Sequence, residues 1–191
     1  MRISASIEVA WNIAAQEAIA TEFKEIEPEH FFEALLKMTE IPIFQYKQMA
    51  SHETIVNQLN NELQDICKEL QALNIDSKTI RRSLKAQLGK GNHPFQGGTM
   101  HRSPASREIF DRMASIAADE GTEVIMLEHM LKALIESPTS AMVEVLGKML
   151  KEKGEKKVKT PLLNEYGRDL IQQVANGELP AITDRKAESS A

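Results

Sequence analysis

Two short stretches bring together residue types that can do chemistry. Glu29-His30 and Glu128-His129 each place a carboxylate beside an imidazole, the combination used for proton transfer or metal ligation. Two such pairs at equivalent places in a repeat could meet at a pseudo-twofold axis. Each pair is i, i+1, however, so on a helix the side chains diverge, unlike the i, i+4 histidines of a zinc-binding helix. The residues therefore read as structural. Glu29 and Glu128 suit the positive ends of helix dipoles, and His30 and His129 pack near inter-helix turns and satisfy backbone groups there. No metal ligand set is assigned.

Other chemistries find less support. A phosphate-cradling loop needs G-x-x-x-x-G-K-[ST], and the two Gly-Lys pairs, Gly89-Lys90 and Gly147-Lys148, are followed by Gly91 and Met149. No ATP-hydrolysing site is expected. Cys67 lies beside Ile66 on an apolar helical stripe with no basic neighbour, so it reads as an inert packed thiol. No G-x-S-x-G elbow accompanies the serines and histidines. No catalytic residue and no cofactor are assigned.

The remaining constellation is basic. Lys78, Arg81, Arg82 and Lys85 fall at i, i+3, i+4 and i+7 and share one helical face, with Lys90, Arg102 and Arg107 following. That face could meet an acidic protein or phosphates. Binders of single-stranded nucleic acid add aromatic stacking platforms, and Phe95 alone is nearby, so nucleic acid is disfavoured. The balancing charge is close at hand. Residues 1–76 hold 5 basic and 13 acidic groups, whereas 77–107 hold 7 basic and none acidic. A solvated face, or an internal complement to the acidic stretch, is the leading expectation, and a partner surface of Lys78, Arg81, Arg82, Lys85 and Arg102 the alternative.

The elements that must position these groups are helices. The 191 residues are 42% hydrophobic and 27% charged with a net charge of −5, a composition able to bury a core. One cysteine excludes a disulfide framework, no apolar run reaches a membrane span, and the N-terminus lacks the pattern of a signal peptide, so a cytoplasmic setting is expected. Glycine is absent from residues 1–88. Ile7, Ala10, Trp11, Ala14 and Ala18 mark one amphipathic helix over about residues 4–22, and Pro28 opens a second with Phe31, Leu35 and Met38 inward. A short third helix runs to about Met49, and a long fourth carries Ile55, Leu59, Leu63, Ile66, Leu70 and Leu73. A further helix from Ser77 to Leu88 ends at Gly89, and Gly89 to Gly98 reads as a mobile connector. Lys148 to Thr160 is a lysine-rich linker. Beyond it, Thr160-Pro161 starts a helix with Leu163, Tyr166, Leu170 and Val174 on one stripe, and the tail from Asp184 is expected to fray.

The strongest organising signal is internal. Shifting the chain by 99 residues lays Ile7–Leu36 over Ser106–Ile135 with seven identities, among them Ala18/Ala117, Ile26/Ile125, Glu29/Glu128, His30/His129 and Leu35/Leu134. Core-type positions also match in kind, as in Trp11 with Phe110 and Phe31 with Met130. Two copies of a helical unit, each hiding its apolar face against the other, account for that pattern.

These segments, Ile26 to Leu36 with its Glu-His and Ile125 to Ile135 with the second, resemble the two Clp repeats at the N-terminus of Clp-family AAA+ unfoldases and disaggregases. TPLLNEYGRDLIQQVANGELP resembles the segment that joins such a domain to its first ATPase module. The resemblance implies an all-α fold of two pseudo-twofold-related four-helix repeats plus a C-terminal linker helix. It divides the chain into a first repeat at 1–76, a basic helix and Gly-rich connector at 77–105, a second repeat at 106–153 and a linker at 154–191 leading toward an AAA+ module absent here. The implied function is non-catalytic recognition of unfolded or aggregated clients or of adaptor proteins, with ATP turnover confined to a ring in the same full-length chain or in trans. A stand-alone helical regulator acting through the Lys78/Arg81/Arg82/Lys85 face is the alternative. No membrane partner is expected.

Overall fold

The computed structural model describes residues 1–42 and 53–152, the side chains of 148–152 excepted. The expected helix ending near Met49, the linker and the helix from Thr160 lie outside the described residues. Within them the chain forms β1 (Arg2–Ile3), α1 (Ala5–Ala20), α2 (Pro28–Glu40), α3 (Glu53–Ala72), α4 (Ser77–Leu88), α5 (Pro104–Asp119), β2 (Val124–Ile125), α6 (Leu127–Glu136) and α7 (Ser140–Glu152). The fold is all-α apart from the two-residue strands.

The 99-residue repeat is carried in three dimensions. α1 and α5 begin at equivalent residues, as do α2 and α6, and both long helices are capped by a serine at the same place. The Ser4 hydroxyl accepts from the Ile7 N–H and the Ser103 hydroxyl from the Ser106 N–H, so each satisfies one of the four amides a helix start leaves unpaired.

The repeats are joined by exchange. β1 pairs in parallel with β2, Ile3 opposite Ile125, while Ile26 bridges Arg102 in the same sense. Position 3 corresponds to 102 and position 26 to 125, so the two pairings are one contact repeated about the pseudo-twofold axis. Backbone bonds follow the same rule: the Ser4 N–H donates to the Ile125 carbonyl at 2.8 Å and the Ser103 N–H to the Ile26 carbonyl at 3.1 Å.

One apolar core runs through both repeats. Ala10, Ala14 and Ala18 line the buried side of α1, small enough to let the backbone of a neighbouring helix come close, and Phe31, Phe32, Leu35 and Leu36 of α2 fill the space beyond. Met113, Leu127, Met130 and Leu134 continue the cluster through the second repeat.

The basic helix α4 belongs to this core. Ile80 and Leu84 are buried, Asp76 caps its start through the Thr79 N–H, and Gly89 closes its end with a φ of 65°. The glycine-rich stretch after it, expected to be mobile, instead runs along the turn between α1 and α2. The Gly91 N–H donates to the Thr21 carbonyl at 2.8 Å and the His93 N–H to the Glu22 carbonyl at 2.9 Å. A Cβ on Gly91 would stand 2.2 Å from the Glu22 carbonyl oxygen, so this glycine serves close approach rather than freedom. Composition alone does not distinguish the two uses.

Candidate functional site

Both histidines cap helices. His30 Nδ1 accepts the Glu27 N–H at 2.9 Å and His129 Nδ1 accepts the Met126 N–H at 2.8 Å. In each case the imidazole, three residues into the helix, reaches back to its N-cap amide. An amide can only donate, so Nδ1 is the bare nitrogen and the neutral ring carries its proton on Nε2. That proton is directed at Thr21 Oγ1, 3.5 Å away, in the first repeat and at Glu120 Oε2, 3.1 Å away, in the second. Thr21 and Glu120 are themselves equivalent positions. The two rings act separately, each within its own repeat, and share no partner.

This tautomer decides a chemical question. Ligating atoms of Glu120, Glu128 and His129 lie within 4.8 Å of one another, a grouping that could suit a divalent cation. With Nδ1 taken by a backbone amide and Nε2 protonated, His129 has no lone pair to offer a metal. Glu120 is also held by Lys132 at 2.6 Å, and the lysine and histidine contacts outweigh the burial that would raise its carboxyl, keeping it below the usual range. The cluster is an ion-pair network. Both rings are fully buried, and His30 packs against the edge of Phe23, where burial pushes its imidazole down to about 4.

The basic stretch is matched to the acidic one. Arg81 grips Glu40 with two parallel bonds of 3.0 and 2.8 Å, an arrangement that lowers the carboxyl and raises the guanidinium. Glu17, nearly buried, receives Lys37 at 2.6 Å and Lys85 at 2.9 Å. Burial would raise its carboxyl, and the two ammonium groups together hold it below the ordinary value. Lys90 pairs with Glu22 at 2.8 Å. Lys78 and Arg82 are exposed. Arg102 stands apart from this face: its guanidinium carbon lies 4.4 Å from the Trp11 ring centroid and 4.3 Å from that of Phe110.

Other groups complete the picture. Cys67 is half-buried and burial pushes its thiol up, away from the thiolate a nucleophile needs. Glu33 is 1% exposed, its Oε1 has no hydrogen-bond partner, and burial raises its carboxyl to about 7. Glu62 takes a part that its sequence context did not signal. Its Oε2 accepts the Leu127 N–H at 3.0 Å and the Ser4 hydroxyl at 3.2 Å, tying α3 to the first residue of α6 and to the cap of α1. A glutamate on the polar flank of an apolar stripe is ordinary, and a partner 65 residues away leaves no local mark. The surface also opens into a cleft of about 120 Å³ lined by Pro28, Ala105, Glu108, Ile109, Ser137 and Thr139.

Comparison with known proteins agrees with this architecture. Residues 59–149 match the Clp repeat (R) N-terminal domain family. The chain is 24% identical over 198 residues to a chaperone protein ClpB of Bdellovibrio bacteriovorus, an alignment that covers 94% of this chain. It spans about 20% of that relative's length.

Proposed function

We propose that this chain, which carries an N-terminal Clp repeat domain of the Clp-family chaperones, is a non-catalytic recognition module that binds unfolded or aggregated clients, or the adaptors that deliver them, on behalf of an AAA+ ring. The observation that carries this reading is the use to which the chemistry-bearing side chains are put. His30 and His129 cap helices, Glu17, Glu40 and Glu120 anchor cations, and Arg102 covers an aromatic pair. Groups so engaged serve a rigid platform, and a platform with interlocked halves suits binding better than turnover. Among the described residues no helix is long and apolar enough to cross a membrane.

The test is a titration of the protein into a fluorescently labelled, permanently unfolded polypeptide, read by anisotropy. Saturable binding that changes little between about 50 and 200 mM salt supports apolar client recognition. Absence of binding, or ATP turnover by this chain alone, overturns it. Binding that collapses over that salt range, and is lost in the double variant Lys78→Glu/Arg82→Glu, transfers the function to the basic face of α4 and an acidic partner.

A further inference from the structure

Glu33, on α2, is buried, and its Oε1 has no hydrogen-bond partner. Three cations come near enough to act on it, and each is already committed elsewhere. Lys37, one turn along α2, and Lys85 of α4 both bind the Glu17 carboxylate of α1, and Arg81 of α4 is spread over both oxygens of Glu40. Glu17 is the remaining charge that faces Glu33. Helices α3, α5 and α6 also pack on α2, and among the described residues none of their groups acts on it. An ionised Glu33 therefore lies in the interior beside a second carboxylate, with no counterion of its own, and burial followed by the Glu17 charge raises its carboxyl to about 7. The second repeat has no such arrangement, because Ile116 stands in the place of Glu17 and Lys132 in the place of Glu33.

The helix packed over this carboxyl is lightly held. Only Ile80 and Leu84 are buried among the 12 residues of α4, against ten of the 13 in α2. α4 lies between α2 and α7, joined to α7 by Gln87 and Glu144 at 2.7 Å. Just past its end the chain is tied down by Lys90 on Glu22 and by the Gly91 amide on Thr21. A short helix with few buried side chains belongs to the part of a fold that opens first. We propose that Glu33 is a proton-operated latch: α4 stays seated on α2 while the carboxyl holds its proton, and lifts to let water reach the carboxylate once that proton is lost. The lifted form returns Glu33 to the ordinary carboxylate range. The advantage of the seated form is thus complete below about 4.5 and is lost as pH rises through 7. Because α4 bridges α2 of the first repeat and α7 of the second, the latch sets how firmly the two repeats are joined along this edge.

The experiment is amide hydrogen exchange of the full chain, read by mass spectrometry from about pH 6 to about pH 8 and corrected for the intrinsic pH dependence of exchange. Protection of α4 relative to α5 is expected to fall about tenfold over that range, with most of the fall before pH 7. In Glu33→Gln, which keeps the shape of the side chain and cannot ionise, it is expected to stay level. Protection of α4 that tracks α5 at every pH overturns the proposal, and so does an equal fall in the glutamine variant. Should that variant fail to fold, the wild type decides. Carbon-detected NMR must show the Glu33 carboxyl titrating near 7 in step with the backbone shifts of α4. A carboxyl that titrates while α4 stays still, or one already ionised at about pH 5, rejects the latch. None of these readouts involves a client, so their outcome is separate from that of the recognition role.

Discussion

Trp11 and Phe110 hold the same position in the two repeats, and their rings meet edge to face across the pseudo-twofold axis with centroids 5.0 Å apart. Phe31 completes the group, 5.1 Å from Phe110 and 6.1 Å from Trp11. Arg102 lies over both axial rings and has no counterpart in the first repeat, where Ile3 stands at the matching position. A single guanidinium therefore closes a symmetric aromatic seam.

Removing that closure has a measurable cost. Arg102→Ala is expected to lower unfolding stability by about 1–2 kcal/mol, and Arg102→Lys by less, because an ammonium cannot lie flat on two rings. Chemical denaturation measures both. Trp11 is the sole tryptophan, so its emission reports the same change locally, with a red shift expected in the alanine variant.

The pair His30 and Glu33 predicts opposed pH dependences. His30 sits at about 4 in the folded protein against 6.5 unfolded, so the stability of its neutral form is complete above about 6.5 and is lost as pH falls toward 4. Glu33 sits at about 7 against 4.5, so its neutral form favours folding below about 4.5, and that advantage is lost as pH rises to 7. The two slopes oppose each other between about 4.5 and 6.5. His30→Gln should leave stability falling with rising pH relative to the wild type, and Glu33→Gln should leave it rising. Each difference is on the order of 1 kcal/mol per pH unit, read from denaturation midpoints across that range.

Glu62→Ala should cost about 1.5–3 kcal/mol, the range for hydrogen bonds to a charged group, because it frees the Leu127 amide and the Ser4 hydroxyl together. Glu62→Gln, which keeps an acceptor, should cost less than half as much. Hydrogen exchange at the start of α6 should quicken in the alanine variant while that of α4 stays unchanged. Equal effects on both helices would argue against a local tie.

Gly91→Ala tests the docked connector. Its methyl would meet the Glu22 carbonyl, whereas Gly97 has open space around it and is constrained only by its φ of 97°. Gly91→Ala is expected to cost about 1–3 kcal/mol by overpacking and to expose the amides of Gly91 and His93 to exchange. Gly97→Ala should cost about 1 kcal/mol and leave those amides protected. Amide exchange read by mass spectrometry separates the two.

The helices were legible in the sequence because their signals are local. Apolar spacing marked the faces of α1 to α3, except that Val56 is buried at the start of α3 where Ile55 was expected, Pro28 and Gly89 marked ends, and the 99-residue shift announced the duplication. The sequence placed the histidines near inter-helix turns with backbone groups to satisfy, and the partner in each case, the ring's own N-cap amide, came only with the structure. What the sequence withheld depends on contacts between distant positions. Arg102 reads as one more cation of a basic run until Trp11 and Phe110 are seen beneath it, and Glu62 is an ordinary surface glutamate until α6 arrives. The glycines at 89–98 spell mobility by composition, and only the approach of the Glu22 carbonyl shows that one of them fits a tight contact.

The reciprocal pairing of Ile3 with Ile125 and of Ile26 with Arg102 gives the molecule the topology of a tethered dimer. Each half supplies the strand that finishes the other, so neither half is a complete folding unit. The peptide between them sets the ratio of halves at one to one and raises their local concentration, without itself determining how they dock. A chain cut at Gly97-Gly98 should remain a single particle whose stability has become dependent on protein concentration, the behaviour of two subunits and no longer of one.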